Sequence, residues 1–239
     1  MKSEILYYRA DGLNMRGAMY WDETKSGKRP GVLVFPDAMG LSSHYKSLTQ
    51  RLVQEGYAAL ACDLYGEGHL FEDVSEVAKA LAPLKENPSR LRERAVAAFN
   101  ALRDRAEVDE RRIAAQGYCI GGTMVIELAR SGVQLCGGVC LHGSPVTKNP
   151  PDASKVKGKL LVLTGADDQH VPREQRLAFE DEMGAAKVDW RMHVYGGVVH
   201  AYTTPDIAKH GKPDLFRYDA SADRRSWREM LDFYGEVFA

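Results

Sequence analysis

Gly117-Tyr118-Cys119-Ile120-Gly121-Gly122 stands where the strand-like run of residues 109–117 ends and a helical pattern over residues 121–131 begins. A cysteine between glycines at such a junction sits on a sharp turn. Gly117 and Gly121 let the strand and the helix approach without Cβ clashes. The spacing is that of the G-x-nucleophile-x-G elbow, with Cys in place of Ser. The sulfur of Cys119 then lies at a helix start, where the dipole favours a thiolate. By position, the backbone N–H of Ile120 faces an oxyanion. The competing reading is that these glycines serve tight packing alone.

On either side of the elbow, strand-like runs alternate with helical patterns. Residues 4–9 and 15–21 read as strands joined by a turn at Asp11-Gly12, an antiparallel entry to a sheet. Residues 31–35 (Gly-Val-Leu-Val-Phe) form a continuous apolar run of the type buried on both faces. A helix over 43–55 stopped by Gly56 and a strand over 58–64 follow. Residues 65–69 read as loop, 72–81 as a short helix, and Pro83 and Pro88 bracket a break before a helix over 89–106. Strands over 135–142, 159–164 and 188–195 and helices over 173–183 and 223–237 complete the pattern, with a loop over 143–157. The fold class is α/β: about eight strands in a mostly parallel sheet, helices on both faces, one domain over residues 1–239. In such sheets the ligand site lies beyond the carboxyl ends of the strands.

Composition removes several function classes. The 239 residues carry a formal net charge of −1, so there is no electrostatic footprint for nucleic acid or an anionic membrane. The dense cluster Arg90, Arg92 and Arg94 alternates with Glu93 and reads as a solvated helix face. No segment approaches the ~20 apolar residues of a spanning helix, and the N-terminal residues lack a signal-peptide pattern. The expected setting is a reducing cytoplasm, which keeps a thiol free. Of the four cysteines, Cys62, Cys136 and Cys140 lie in apolar runs and read as small buried hydrophobes; the spacing matches no zinc pattern.

Two further reactive groups follow the elbow, each at a strand end. Leu163-Thr164-Gly165-Ala166-Asp167-Asp168-Gln169-His170-Val171-Pro172 offers Asp167 or Asp168 as an acid, or either as a plain helix cap. Gly196-Gly197-Val198-Val199-His200 offers His200 as a base on a tight loop. Among the other histidines, His170 reads as a loop residue and His193 as structural or exposed. His44 and His69 fall in loops bordering the site, and His210 reads as surface. The second oxyanion donor belongs to the turn Pro36-Asp37-Ala38-Met39-Gly40, where Ala38 presents its N–H. Asp37 is either a turn residue or a modulator of the thiol.

With these residues in place, the chain resembles the dienelactone hydrolase (carboxymethylenebutenolidase) family of α/β-hydrolases from Pro30 through the last helix. The carriers are residues 32–41, the Cys119 elbow, residues 165–172 and the Gly-rich loop to His200. The resemblance implies the α/β-hydrolase fold and selects Asp168, the Asp three residues before Val-Pro. It implies a Cys119–His200–Asp168 triad, Ala38 and Ile120 as oxyanion donors, a small ester or lactone as substrate, and no metal or organic cofactor. The chain departs from the best-known members in two places. Asp37 stands where they carry Glu, and their two substrate-binding arginines have no counterpart, since no Arg lies between Leu64 and Ser89 and Ala201-Tyr202-Thr203-Thr204 follows His200. The alternatives are a thioesterase or other acyl hydrolase on the same residues, or an inactive binding or redox protein on the fold. No nucleic-acid or membrane partner is expected, and the chain is read as a monomer or homodimer.

Overall fold

The apolar runs become strands and the Gly and Pro punctuation becomes turns in the computed structural model, which describes residues 1–239 apart from the side chain of His210, so the surface reading of that histidine lies outside the described residues. The strands are β1 (Lys2–Ala10), β2 (Leu13–Trp21), β3 (Arg29–Phe35), β4 (Ala58–Ala61), β5 (Val108–Tyr118), β6 (Gly137–Leu141), β7 (Lys159–Gly165) and β8 (Trp190–Tyr195). The α-helices are α1 (Ser43–Gln54), α2 (Val74–Glu86), α3 (Pro88–Arg103), α4 (Ile120–Arg130), α5 (Arg173–Ala185) and α6 (Ala220–Val237). They build one eight-stranded sheet in the order β1-β2-β4-β3-β5-β6-β7-β8. The β1–β2 and β2–β4 pairs are antiparallel and every pair from β4 onward is parallel, as expected.

The central strands β3, β4 and β6 are apolar because both faces are covered. On one face, Tyr45, Leu48 and Leu52 of α1 and Met230, Phe233 and Tyr234 of α6 pack on Val32, Val34, Val139 and Leu161. On the other, α2 to α5 bring Leu81, Phe99, Val125 and Phe179 onto Leu33, Leu60, Ala115 and Val162. Burial of this kind supplies the main driving force for the fold, at ~25 cal/mol per Å² of apolar surface. Behind the elbow helix, the fully buried Arg130 joins Glu127 and Glu182 at 2.9 and 2.5 Å, and Arg92 joins Glu127 and Asp152, each at 2.7 Å.

The structure corrects five local readings. The arginines at 90, 92 and 94 are not a solvated face: Arg94 is buried on Asp11 and the Leu64 carbonyl, Arg92 is tied to Glu127 and Asp152, and Arg90 pairs with Asp11. The strand expected over residues 58–64 stops at Ala61. Asp63 turns the chain out of the sheet, its carboxylate accepting from the N–H groups of Tyr65, Gly66 and Gly68 at 3.0, 3.0 and 2.7 Å and of Arg16 at 2.9 Å. Pro83 does not break the chain but lies inside α2; the boundary falls at Asn87, kept out of the helical region (φ −124°, ψ 85°) by the steric demand of Pro88. His44 is the second residue of α1 rather than a loop residue. Cys136 is only half-buried, outside β6, with its thiol 3.2 Å from the Arg111 carbonyl, whereas Cys62 and Cys140 are buried.

Candidate active site

β5 delivers Tyr118, Cys119 turns at φ 54° and ψ −119°, and α4 starts at Ile120. A non-glycine residue in that conformation is strained, and the surroundings enforce it. A Cβ on Gly117 would run into the Gly121 carbonyl, and one on Gly121 into the carbonyls of Phe35 and Pro36. A Cβ on Gly122 would lie 2.8 Å from the Cys140 sulfur. The glycines are there for backbone contact, and the strain falls on the one side chain that points outward. Cys119 is partly exposed and unbridged.

The acid loop leaves β7 through Gly165, whose missing Cβ makes room for the Val198 carbonyl. Ala166 N–H donates to the Tyr195 carbonyl at 2.8 Å and Asp167 N–H to the Val198 carbonyl at 3.0 Å, stitching this loop to the one that carries His200. Asp167 points to solvent, while Asp168 is buried. The Asp168 Oδ2 atom lies 2.8 Å from Nδ1 of His200, and Oδ1 accepts from the N–H groups of His170 and Val171 at 2.8 and 3.2 Å. His200 is 4% exposed. Burial alone would lower its pKa, but the neighbouring Cys119 sulfur and the Asp168 carboxylate outweigh it and push it up to about 10. With Nδ1 turned to Asp168, Nε2 is the nitrogen free for proton transfer. The structure therefore brings Cys119, Asp168 and His200 together.

Ile120 opens α4, so its N–H has no acceptor within the helix. Among the described residues nothing accepts from the Ala38 N–H in the facing turn. That turn is fixed by Met39 N–H on Asp37 Oδ1 at 2.9 Å and by the Tyr65 hydroxyl donating to the Ala38 carbonyl at 2.8 Å. Phe71 N–H on the Met39 carbonyl at 2.9 Å ties the 65–71 loop to it. Burial pushes the Asp37 carboxyl up, against the pull of the Met39 N–H and the Tyr45 side chain. His170 and His69 lie in loops as read, and His193 binds Glu229 at 2.6 Å away from the triad residues.

Four residues that the sequence reading did not single out complete the site. Asp63 organises the 65–68 loop, Tyr65 pins the Ala38 peptide, and the buried pair His142 and Thr203 lies under the elbow and the His200 turn. His142 carried a weak signal, a histidine closing an apolar strand before Gly143; the other three carried none.

The sequence profile of the dienelactone hydrolase family matches residues 15–238. The chain belongs to the dienelactone hydrolase family. A solved dienelactone hydrolase-like promiscuous phosphotriesterase from metagenomic libraries superposes with a TM-score of 0.95 at 39% identity, covering 100% of this chain and 99% of that one. The “Putative carboxymethylenebutenolidase” of Escherichia coli (strain K12) is 26% identical over 238 residues, 94% of this chain and 83% of its own length. Protein usf of Aquifex pyrophilus is 25% identical over 242 residues, 98% of either chain. This dienelactone hydrolase family chain has the α/β-hydrolase fold and is a hydrolase. No described helix is long and apolar enough to cross a membrane.

Two groups of aromatic side chains flank the site of this family member. Tyr65 and Phe71 meet edge to face with centroids 4.9 Å apart, and His69 lies 4.4 Å from Phe71. On the opposite side, His170 stacks on Phe216 at 5.1 Å, and Phe216 meets His200 at 5.7 Å. Arg217 comes closest in sequence after His200 among the arginines, but its guanidinium is exposed and binds the Gly197 carbonyl at 3.1 Å.

Proposed function

We propose that the chain hydrolyses small, uncharged carboxylic esters or lactones, with Cys119 as nucleophile, His200 as proton carrier and Asp168 as its orienting carboxylate. The observation that carries this reading is the 2.8 Å contact between Asp168 and His200 beside a cysteine on a strained elbow. The Cys119 sulfur attacks the carbonyl carbon while its proton resides on His200 Nε2. The carbonyl oxygen takes the negative charge and is met by the N–H groups of Ala38 and Ile120, and the charged His200 is stabilised by Asp168. Collapse breaks the C–O bond, and the leaving alkoxide takes the proton from His200. Water then gives a proton to His200, its oxygen adds to the thioester carbon, and the thiolate leaves and is reprotonated, releasing the acid.

The substrate class rests on the walls. Aromatic rings from the 65–71 loop, His170 and Phe216 suit an apolar or aryl ester. A carboxylate-bearing lactone would need a guanidinium partner, and Arg94 and Arg176 are engaged elsewhere, Arg94 with Asp11 and the Leu64 carbonyl and Arg176 with the Gly165 carbonyl. Asp37 is the modulator of the thiol in this reading, placed one residue before Ala38 with its carboxylate on the Met39 N–H, and forms no bond to substrate. A second reading, phosphotriester hydrolysis by the same sulfur and donors, is favoured by the 39% identical phosphotriesterase that matches end to end.

The test is a comparison of wild type with Cys119→Ala on p-nitrophenyl acetate, a carboxylate-bearing dienelactone and a phosphotriester. Turnover of the acetate that is lost with the sulfur supports the reading. Preference for the dienelactone would overturn the uncharged class, and preference for the phosphotriester would favour the second reading.

A further inference from the structure

Among the described residues, His142 is the one buried histidine that the chemistry above does not use. It follows β6, one strand from the β5 that delivers Cys119, and its own N–H donates to the Leu163 carbonyl of β7 at 2.8 Å. It therefore lies between the strand of the nucleophile and the strand of the acid. Its backbone is in the left-handed region at φ 41°, uncommon for a residue with a Cβ and held only where the surroundings compel it.

Both ring nitrogens are engaged. Nδ1 accepts from the backbone N–H of Cys119 at 3.2 Å, an N–H that it shares with the Leu141 carbonyl at 3.0 Å. Nε2 lies 2.8 Å from Oγ1 of Thr203, which is buried three residues beyond His200. Because Nδ1 accepts, the proton of the neutral ring sits on Nε2 and is donated to Thr203. The turn holding Thr203 is closed by Thr204 N–H on the Ala201 carbonyl at 3.0 Å, with Ala201 at φ 59°. The ring also stands edge-on to His200, centroids 5.0 Å apart and planes at 72°.

We propose that His142 is a positioning residue that clamps the Cys119 elbow to the His200 turn, fixing the sulfur and the imidazole in mutual register. It touches neither substrate nor reacting atoms. With no free nitrogen it exchanges no proton, and full burial together with the charge carried by His200 keeps it neutral. A protonated His142 would lose its bond from Cys119 N–H and place a second positive charge against the imidazolium on which turnover depends.

This inference rests on the reading of Cys119 and His200 given above, and the two are tested separately. Steady-state kinetics on p-nitrophenyl acetate should be run for Cys119→Ala, His142→Phe, Thr203→Val and Thr203→Ser. Thermal unfolding and circular dichroism would identify folded variants. His142→Phe and Thr203→Val are expected to lower kcat by about 10- to 100-fold with KM changed less than about twofold, since loss of register acts on the chemical step. Thr203→Ser, which restores the acceptor, is expected to recover most of kcat. Nitrogen-15 NMR of the wild type should show a His142 ring protonated at Nε2 alone. A folded Thr203→Val enzyme with wild-type kcat, or a His142 ring protonated at Nδ1, would overturn the clamp even if Cys119→Ala is inactive. Full activity of Cys119→Ala would instead sink the reading of the nucleophile. Should His142→Phe fail to fold, the Thr203 pair and the NMR measurement decide.

Discussion

Asp168 divides its two oxygens between a side chain and the backbone: Oδ2 meets His200 Nδ1 at 2.8 Å, while Oδ1 takes the N–H groups of His170 and Val171 at 2.8 and 3.2 Å. The second set of bonds forbids the carboxylate from rotating, so the imidazole it faces has one orientation and one tautomer. Asp167, one residue earlier, faces solvent and makes no such contact. Asp168→Asn should therefore reduce kcat by about 10⁴-fold through loss of the right tautomer, as in serine triads. Asp167→Asn should stay within a fewfold of wild type. Steady-state kinetics on an activated ester checks both, and equal losses would contradict the assignment of the acid.

The elbow makes a steric prediction. Gly121→Ala would push a Cβ into the carbonyls of Phe35 and Pro36, two atoms of fixed backbone that have no room to retreat. A cost of about 1–3 kcal/mol is expected from overpacking, read as a lower midpoint in thermal unfolding. Because the displaced backbone carries Cys119 and leads to Ala38, activity in the folded fraction should fall as well. Gly184 on α5, where an added Cβ would meet nothing within 4 Å, is the control: Gly184→Ala should leave both unchanged or slightly raise stability.

Arg130 tests the ion network behind α4. Its guanidinium has no exposure and holds Glu127 and Glu182. Arg130→Met strips Glu182 of its guanidinium and leaves Glu127 with Arg92 alone, and should cost about 3–5 kcal/mol. Pairing it with Glu182→Met should cost less than the sum of the single changes, because the second substitution removes a charge that the first stranded. Denaturant titration of the double-mutant cycle supplies the coupling.

Two histidines bend the stability–pH curve in opposite senses. Burial, with the charge on His200 adding to it, holds His142 well below the ordinary imidazole range, so below about pH 6.5 the unfolded chain binds more protons and stability falls with acid. His200, pushed up to about 10, binds a proton that the unfolded chain has released; its contribution is complete below about pH 6.5 and is lost as pH rises toward 10. Since the Cys119 sulfur is a principal cause of that upward push, Cys119→Ala should flatten the alkaline limb and leave the acid limb alone. Thermal midpoints from pH 5 to 10 check the pair of limbs.

How much of this was legible in the sequence follows the range of the interactions. The elbow was readable because its glycines and Cys119 lie within six residues and the constraint is local. The mostly parallel sheet with its antiparallel entry followed from the alternation of apolar runs with helices. Asp168 could be told from Asp167 only through the family pattern; the physical difference is which carboxylate the turn buries, and adjacent residues of one type do not reveal it. The end of β4 differs from the expected one because Asp63 captures N–H groups of the following loop, a side-chain effect invisible to hydrophobic periodicity. His142 escapes a sequence reading for a deeper reason: its partners lie 23 and 61 residues away, and they meet only once β5, β6 and the turn after β8 are side by side.

Everything proposed for the site depends on the Cys119 sulfur carrying the acyl group. The decisive experiment mixes the enzyme with p-nitrophenyl acetate, quenches in acid within milliseconds and maps the mass gain by peptide sequencing. A single acetyl group on Cys119 is expected, accumulating in His200→Ala if acylation persists slowly, and absent from Cys119→Ala along with turnover. An acetyl group on another residue of a turning-over enzyme, or undiminished kcat in Cys119→Ala, would contradict the assignment.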